Sequence, residues 1–257
     1  MRLQLNAHVR QQHRQRLFSD SAELYDAIYG SFKDYAAEAA VIANVIRTGQ
    51  PSARTLLDVG CGTGEHVMHL RARGFVADGL DIDPALLAIA ARKVPAAEFF
   101  EADMTDFDLG TRYDVVACLF SSIGYLLTMP RVVAALRQFR RHVTSNGMIV
   151  IEPWFAPGML RMGKGSKRQA EVGGTRVERT SETSISGRVS RLVFDYRIES
   201  AEGTRHAREV HELGLFTPEE MLAGFQDAGL RAEYDPVGMF DNRGLYIARV
   251  VNSRDDG

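Results

Sequence analysis

Cysteine is nearly missing from this chain. Cys61 and Cys118 are the only two in 257 residues, which excludes a disulfide framework and a cysteine-built zinc site and makes a reducing, cytoplasmic setting the default. No apolar run approaches the roughly 18 residues that a membrane-crossing helix needs. Charge of one sign is also missing: 31 basic against 33 acidic residues leave a net charge of -2. Such a balance offers no field to draw nucleic acid or an anionic membrane, so the expected partner is a small molecule. Residues 1–19 do carry Arg2, Arg10, Arg14 and Arg16 without an acid. They lack the apolar core and small-residue cleavage site of a targeting peptide and read as a flexible basic leader.

What the chain does have is a stretch around which the rest is organised. Thr55-Leu56-Leu57-Asp58-Val59 is a short apolar run ending near an acid, and Gly60-Cys61-Gly62-Thr63-Gly64 follows before a polar helix start. This is a buried strand, a tight turn and a helix. A dinucleotide fingerprint would need glycine at the sixth position from Gly60, and that position is Glu65, which disfavours NAD. The acid followed by GxGxG instead resembles motif I of the class I S-adenosylmethionine (AdoMet) methyltransferases.

Further strand ends carry acids at matching intervals. Phe75 to Asp81 reads as a second strand, with Ile82 next, Asp83 as a helix cap and Pro84 in the first turn. Asp81 stands where a carboxylate can accept both hydroxyls of a ribose. A third strand is expected over 96–100, after which Asp103 is placed for an adenine amino group and the Met104 backbone for the ring. Tyr113 to Leu119 is a buried strand, and its end, Phe120 to Tyr125, faces the ligand crevice of an open parallel sheet. A helix over 131–143, a turn at Ser145-Asn146-Gly147 and a strand over 148–152 lead to Pro153-Trp154-Phe155.

Then the pattern changes. From about Lys167 to Phe216 residues alternate as in exposed strands, which predicts three or four antiparallel strands. Thr217-Pro218-Glu219-Glu220 is a capping box, and 230–235 with 244–251 read as a closing hairpin. The fold class is therefore α/β: a doubly wound, Rossmann-like sheet over 20–155 and 216–251, with an antiparallel β cap inserted over 156–215. Tyr25, Tyr29 and Tyr35 either fill a core edge or form a lid, and spacing alone favours the core. His66, His69, His142 and His211 read as structural, and no His/Asp pair is evident near Ser121 to Tyr125.

Taken together, Lys33-Asp34-Tyr35, the motif around Asp58, Phe120-Ser121-Ser122-Ile123-Gly124-Tyr125, Glu152-Pro153-Trp154 and Arg243-Gly244-Leu245 resemble one subfamily. It is the thymidine-diphosphate-3-aminosugar N,N-dimethyltransferases of macrolide sugar biosynthesis, matched from about Ser21 to Arg249. The resemblance implies that Tyr25, Tyr35, Asp58, Gly60, Gly62, Asp81, Ile82, Asp103, Met104 and Leu119 hold AdoMet. It implies a sugar-nucleotide site of Tyr29, Ser121, Ser122, Trp154, Phe155 and Arg243, the last on the diphosphate. It also implies a homodimer. The loop Gly30-Ser31-Phe32 is one residue shorter than the basic loop of the subfamily, and Leu17 and Phe18 stand where one branch has a tyrosine near the amine.

Methyl transfer to nitrogen needs positioning more than strong acid–base chemistry, and Tyr125 is the residue expected to orient or deprotonate the amine. No metal is expected. Two other readings stand beside this one: an O- or N-methyltransferase of another small metabolite, and a non-catalytic AdoMet-binding regulator.

Overall fold

The computed structural model describes residues 22–165, 167–239 and 243–251. The basic leader, Leu17, Phe18 and the Ser21 cap lie outside the described residues.

Two helices lead in. Helix α1, Ala22–Gly30, is followed by α2, Tyr35–Gly49, which Asp34 caps by accepting from the Ala37 N–H. Strand and helix then alternate: β1 Thr55–Val59, α3 Glu65–Arg71, β2 Val76–Asp81, α4 Pro84–Lys93, β3 Phe99–Glu101 and β4 Tyr113–Cys118. A single 3₁₀ turn at Ser122–Leu126 precedes α5 Met129–His142 and β5 Val143–Ile151. After the insert come α6 Pro218–Asp227, β11 Leu230–Asp235 and β12 Leu245–Val250. The capping box at Thr217 and Glu220 is formed in both directions, and Asp83 caps α4.

The main sheet has seven strands in the order β11-β12-β5-β4-β1-β2-β3. Strands β1 to β5 run parallel, whereas β12 enters antiparallel between β5 and β11. Its two faces bury separate apolar clusters, one holding Leu57, Val116, Phe139 and Phe225, the other Ile42, Leu56, Val67 and Val115. A parallel sheet covered on both sides explains why its strands read as nearly continuous apolar runs.

Two local expectations need correction. Residues 145–147 do not turn; they belong to β5, and a register shift between Tyr113 and Val115 absorbs the irregularity. Gly147 is needed there, because a Cβ would come within 2.5 Å of Val143 and 2.7 Å of the Asp114 carbonyl. The third strand is shorter than expected and begins at Phe99, since the Ala97 N–H is spent on the Val94 carbonyl in a turn.

The insert forms a second, antiparallel sheet of β6 Gly163–Lys164, β7 Arg168–Val172, β8 Thr175–Ser186, β9 Val189–Ser200 and β10 Gly203–Gly214. Its inner face packs Val177, Phe194, Tyr196 and Ile198 against Ile28 of α1. Helix α1 is thus held between the cap and the main sheet, bordering the carboxyl ends of β1, β2 and β4.

Candidate active site

The glycine loop after β1 turns on three left-handed residues, with φ of 77° at Gly60, 55° at Gly62 and 77° at Gly64. Gly60 is also hemmed in: a Cβ would stand 2.6 Å from the Ser122 Cβ. At Gly62 nothing lies within 4 Å of a built Cβ, so the backbone borders open space there. Asp81 anchors the loop by accepting from the Gly62 N–H at 2.8 Å and from the Asp83 N–H at 2.9 Å.

Beneath the loop lies Asp58, 1% exposed, with neither carboxylate oxygen hydrogen-bonded. Burial pushes its pKa up to about 6; His66 works against this and the charge of Asp81 adds to it. Burial raises Asp81 as well, with its backbone donors pulling the other way. Two acids packed under a glycine loop, one with no hydrogen bond, make a region of negative potential that suits a cation. Around it, Ile82 leaves 45% of its surface exposed, and the Met104 Cε lies 3.7 Å from where a Gly60 Cβ would be. Both place apolar atoms beside the loop. Asp103 is less free than expected. Its carboxylate accepts from Thr105 and pairs with Arg131 at 3.0 Å, and against the effect of burial these donors hold its pKa low.

Beyond β4, Leu119 is buried and Phe120 and Ser121 both adopt left-handed backbone, with φ of 50° and 65°. For residues with side chains this is strained, and it persists because the surroundings fix it. The Phe120 N–H donates to Glu152 Oε2 at 2.7 Å, and Ser121 Oγ donates to the Pro153 carbonyl at 2.8 Å. Ser122 Oγ lies 3.2 Å from the Gly60 carbonyl, tying this segment to the glycine loop. Arg243, 6% exposed, donates from Nη1 to Ser121 Oγ and pairs through Nη2 with Glu152 Oε1 at 2.6 Å. The guanidinium expected for the diphosphate is thus already matched by a buried carboxylate that the sequence offered no role. Burial raises the pKa of Glu152, while Arg243 and Lys33 oppose the rise.

Lys33 pairs with Glu38, lies 3.9 Å from the Phe120 ring centroid, and is depressed in pKa by burial. His66 joins the same carboxylate at 2.8 Å. Tyr29 sets its ring edge-on to Phe120 at 5.5 Å and stacks with Tyr25 at 4.4 Å. Tyr35 packs against His66. Burial raises Tyr25, Tyr29, Tyr35 and Tyr125, and most of them raise one another. Tyr29 and Tyr35 are buried, as a core-edge reading expects, and Tyr29 also reaches the Arg179 guanidinium of the cap at 5.0 Å. Trp154 donates to Ser190 Oγ of β9 at 2.8 Å and packs on Phe155, so this pair joins the cap to the end of β5.

The cap brings two groups that sequence reasoning missed. Arg179 of β8, 7% exposed, lies over the rings of Phe194 and Tyr29 at 4.3 and 5.0 Å, and its Nη1 has no hydrogen-bond partner. His211 of β10, read as structural, sits 2.8 Å from the Tyr125 hydroxyl with Glu209 behind it. This corrects the expectation of no histidine–acid pair near Ser121 to Tyr125. The spacing Glu209-x-His211 on one strand face was the available signal. Among the described residues no cluster of metal ligands occurs, and no helix is long and apolar enough to cross a membrane.

Comparison with known proteins agrees with this geometry. Residues 56–147 match the family described as "Methyltransferase domain". The dTDP-3-amino-3,6-dideoxy-alpha-D-glucopyranose N,N-dimethyltransferase of Streptomyces fradiae is 41% identical over 227 residues, 88% of this chain and 89% of that protein. The dTDP-4-amino-2,3,4,6-tetradeoxy-D-glucose N,N-dimethyltransferase of Saccharopolyspora spinosa is 38% identical, covering 89% and 92%. SAM-bound CalS10, an amino pentose methyltransferase from Micromonospora echinaspora involved in calicheamicin biosynthesis, superimposes with a TM-score of 0.80 at 36% identity, covering 89% of this chain and 97% of that one. The glycine loop over its unsatisfied acid fits the sulfonium cofactor these likenesses require, and the chain belongs to the AdoMet-dependent sugar N,N-dimethyltransferases, class I methyltransferases carrying an antiparallel cap.

Proposed function

We propose that this enzyme methylates the amine of a dTDP-linked aminosugar, once or twice, with the sugar held between the Phe120–Tyr125 segment and the cap. The observation that carries this reading is the Ser122–Gly60 contact. It fixes one short segment to the cofactor loop on one side, while Tyr125 of the same segment reaches His211 of the cap on the other. The relatives' names support the nucleotide and the chemistry. They place the amine at carbon 3 in one case and carbon 4 in another, so both are candidate acceptors.

Bound AdoMet supplies an electrophilic methyl group on a positively charged sulfur. Asp58, Asp81 and the Gly60–Gly64 backbone hold that cation and the ribose, with Ile82, Met104 and Leu119 against the adenine. Asp103 retains lone pairs for an amino group although Thr105 and Arg131 share its carboxylate. Tyr25 and Tyr35 close the loop from the α1 side. Tyr29, Trp154 and Phe155 wall the sugar-nucleotide site, with Ser121 and the Arg243–Glu152 pair at its diphosphate end. Arg179 adds an Nη1 that lacks a partner. Tyr125 orients the amine and accepts its proton at Oη. Holding the acceptor in line supplies most of the acceleration, since well-oriented groups gain roughly 7 to 11 kcal/mol. A homodimer, implied by the family resemblance, belongs to the same reading.

The test is incubation with AdoMet and a panel of dTDP sugars aminated at carbon 3 or carbon 4. A mass gain of one or two methyl groups on one of them is expected. AdoMet binding by calorimetry with no gain on any aminosugar would instead leave a regulator or an enzyme with a different acceptor.

A further inference from the structure

The reading of Tyr125 leaves a run of buried polar groups behind it unexplained. Residues alternate along β10, so Glu209 and His211 share one face, and they are only 7% and 2% exposed. The Tyr125 hydroxyl lies 2.8 Å from His211 Nδ1, and His211 Nε2 lies 3.4 Å from Glu209 Oε2. Tyr196 of β9 donates to the same Oε2 at 2.8 Å. In the tautomer that carries the ring proton on Nε2, that N–H faces the Glu209 carboxylate and Nδ1 can accept. In that tautomer the Tyr125 phenol donates its hydrogen to Nδ1, and its oxygen lone pairs stay available to a second donor.

We propose that His211, aligned by Glu209, is a positioning residue that makes the Tyr125 hydroxyl an acceptor for the proton of the substrate amine. This rests on the assignment of Tyr125 above. The step is balanced: an N–H bond of the bound ammonium breaks as Tyr125 Oη takes the proton, the phenolic O–H breaks as His211 Nδ1 takes that one, and the nitrogen keeps its lone pair. His211 becomes an imidazolium opposite Glu209 and returns the proton to water when the site opens. Burial holds the Tyr125 phenol well above its usual pKa, so it passes a proton on rather than ionising.

Charged and titratable groups surround these residues: Arg179 of β8 holds its guanidinium 4.3 Å from the Phe194 ring, which itself lies 5.0 Å from the His211 ring. Tyr25 and Tyr29 from α1, Tyr196 from β9 and Asp81 from β2 are among the titratable groups nearby. The cap thereby contributes to the chemistry as well as to substrate binding.

The experiment measures kcat/KM against pH at saturating AdoMet for wild type, Tyr125→Phe, His211→Asn and Glu209→Gln. His211→Asn is expected to lower kcat about 100-fold, within the usual range for proton-transfer groups, and to abolish the acidic limb while the sugar-nucleotide KM changes less than about threefold. Glu209→Gln should move that limb to lower pH. Side-chain nitrogen NMR of the unliganded wild-type protein, which requires no variant to fold, should show His211 in the Nε2–H form. The Nδ1–H form overturns the proposal, as do unchanged profiles in both His211→Asn and Glu209→Gln when Tyr125→Phe is impaired, an outcome that leaves the Tyr125 assignment standing. If Tyr125→Phe itself has a wild-type profile, that assignment fails and the relay with it.

Discussion

Asp58 shows how one side chain is held against its own stability. Its carboxylate is buried without a hydrogen bond, and burial raises its pKa to about 6 from the 3.8 of a free side chain. The folded chain thus binds this proton more tightly than the unfolded chain does. Its contribution to stability is full below about pH 4, falls as pH rises towards 6, and is gone above that. Asp58→Asn should therefore raise the melting temperature of the unliganded protein at pH 7, corresponding to about 1 to 3 kcal/mol. The same change should weaken AdoMet roughly 10-fold, because the negative charge under the cation is lost. In the wild type, calorimetry should show AdoMet affinity falling as pH drops through 6. A neighbouring position is limited by space: Gly60→Ala would drive a Cβ to 2.6 Å from Ser122 at a φ of 77°, and loss of AdoMet binding with a lowered melting temperature is expected.

At the scale of the element, the turn from Leu119 to Leu126 is tightly constrained. Its two left-handed residues depend on Glu152, which also neutralises Arg243. Removing one partner of a buried ion pair costs about 3 to 5 kcal/mol. Glu152→Gln should accordingly lower stability by an amount of that order in urea unfolding and raise the sugar-nucleotide KM as the turn relaxes. The strands and helices carrying this turn were legible from periodicity, and so were the glycine loop and the acids at the ends of β1 and β2, because parallel strands buried on both faces leave a dense apolar signature. Glu152 was visible only as part of a motif, since nothing in local sequence says that a distant arginine answers it. His211 was misjudged for the same reason: its partner Tyr125 lies in another element, and strand register across an insert is set by tertiary packing. The run through Gly147 was misread as a turn because Ser-Asn-Gly has turn composition, whereas here the glycine serves close packing against Asp114.

Across the whole molecule, polar contacts join the two sheets, and Trp154 to Ser190 is one of them. Ser190 is fully buried, accepts from the indole at 2.8 Å and donates to the Leu213 carbonyl at 3.1 Å. Ser190→Ala removes both of these hydrogen bonds, so the cap should lose its fixed seat on the end of β5. The expected result is a several-fold rise in sugar-nucleotide KM with AdoMet affinity within about twofold of wild type, both read by calorimetry. An equal loss for both ligands would mean that the sheets act as one unit.

The position of β12 has a consequence for how the enzyme is made. Glu152 closes β5, but Arg243 arrives from the segment before β12, after the whole cap has been synthesised. A nascent polypeptide still on the ribosome has laid down its acidic pocket without the arginine that quiets it. The buried pair that holds the Phe120–Ser121 backbone in place is therefore complete only once the last hairpin has docked.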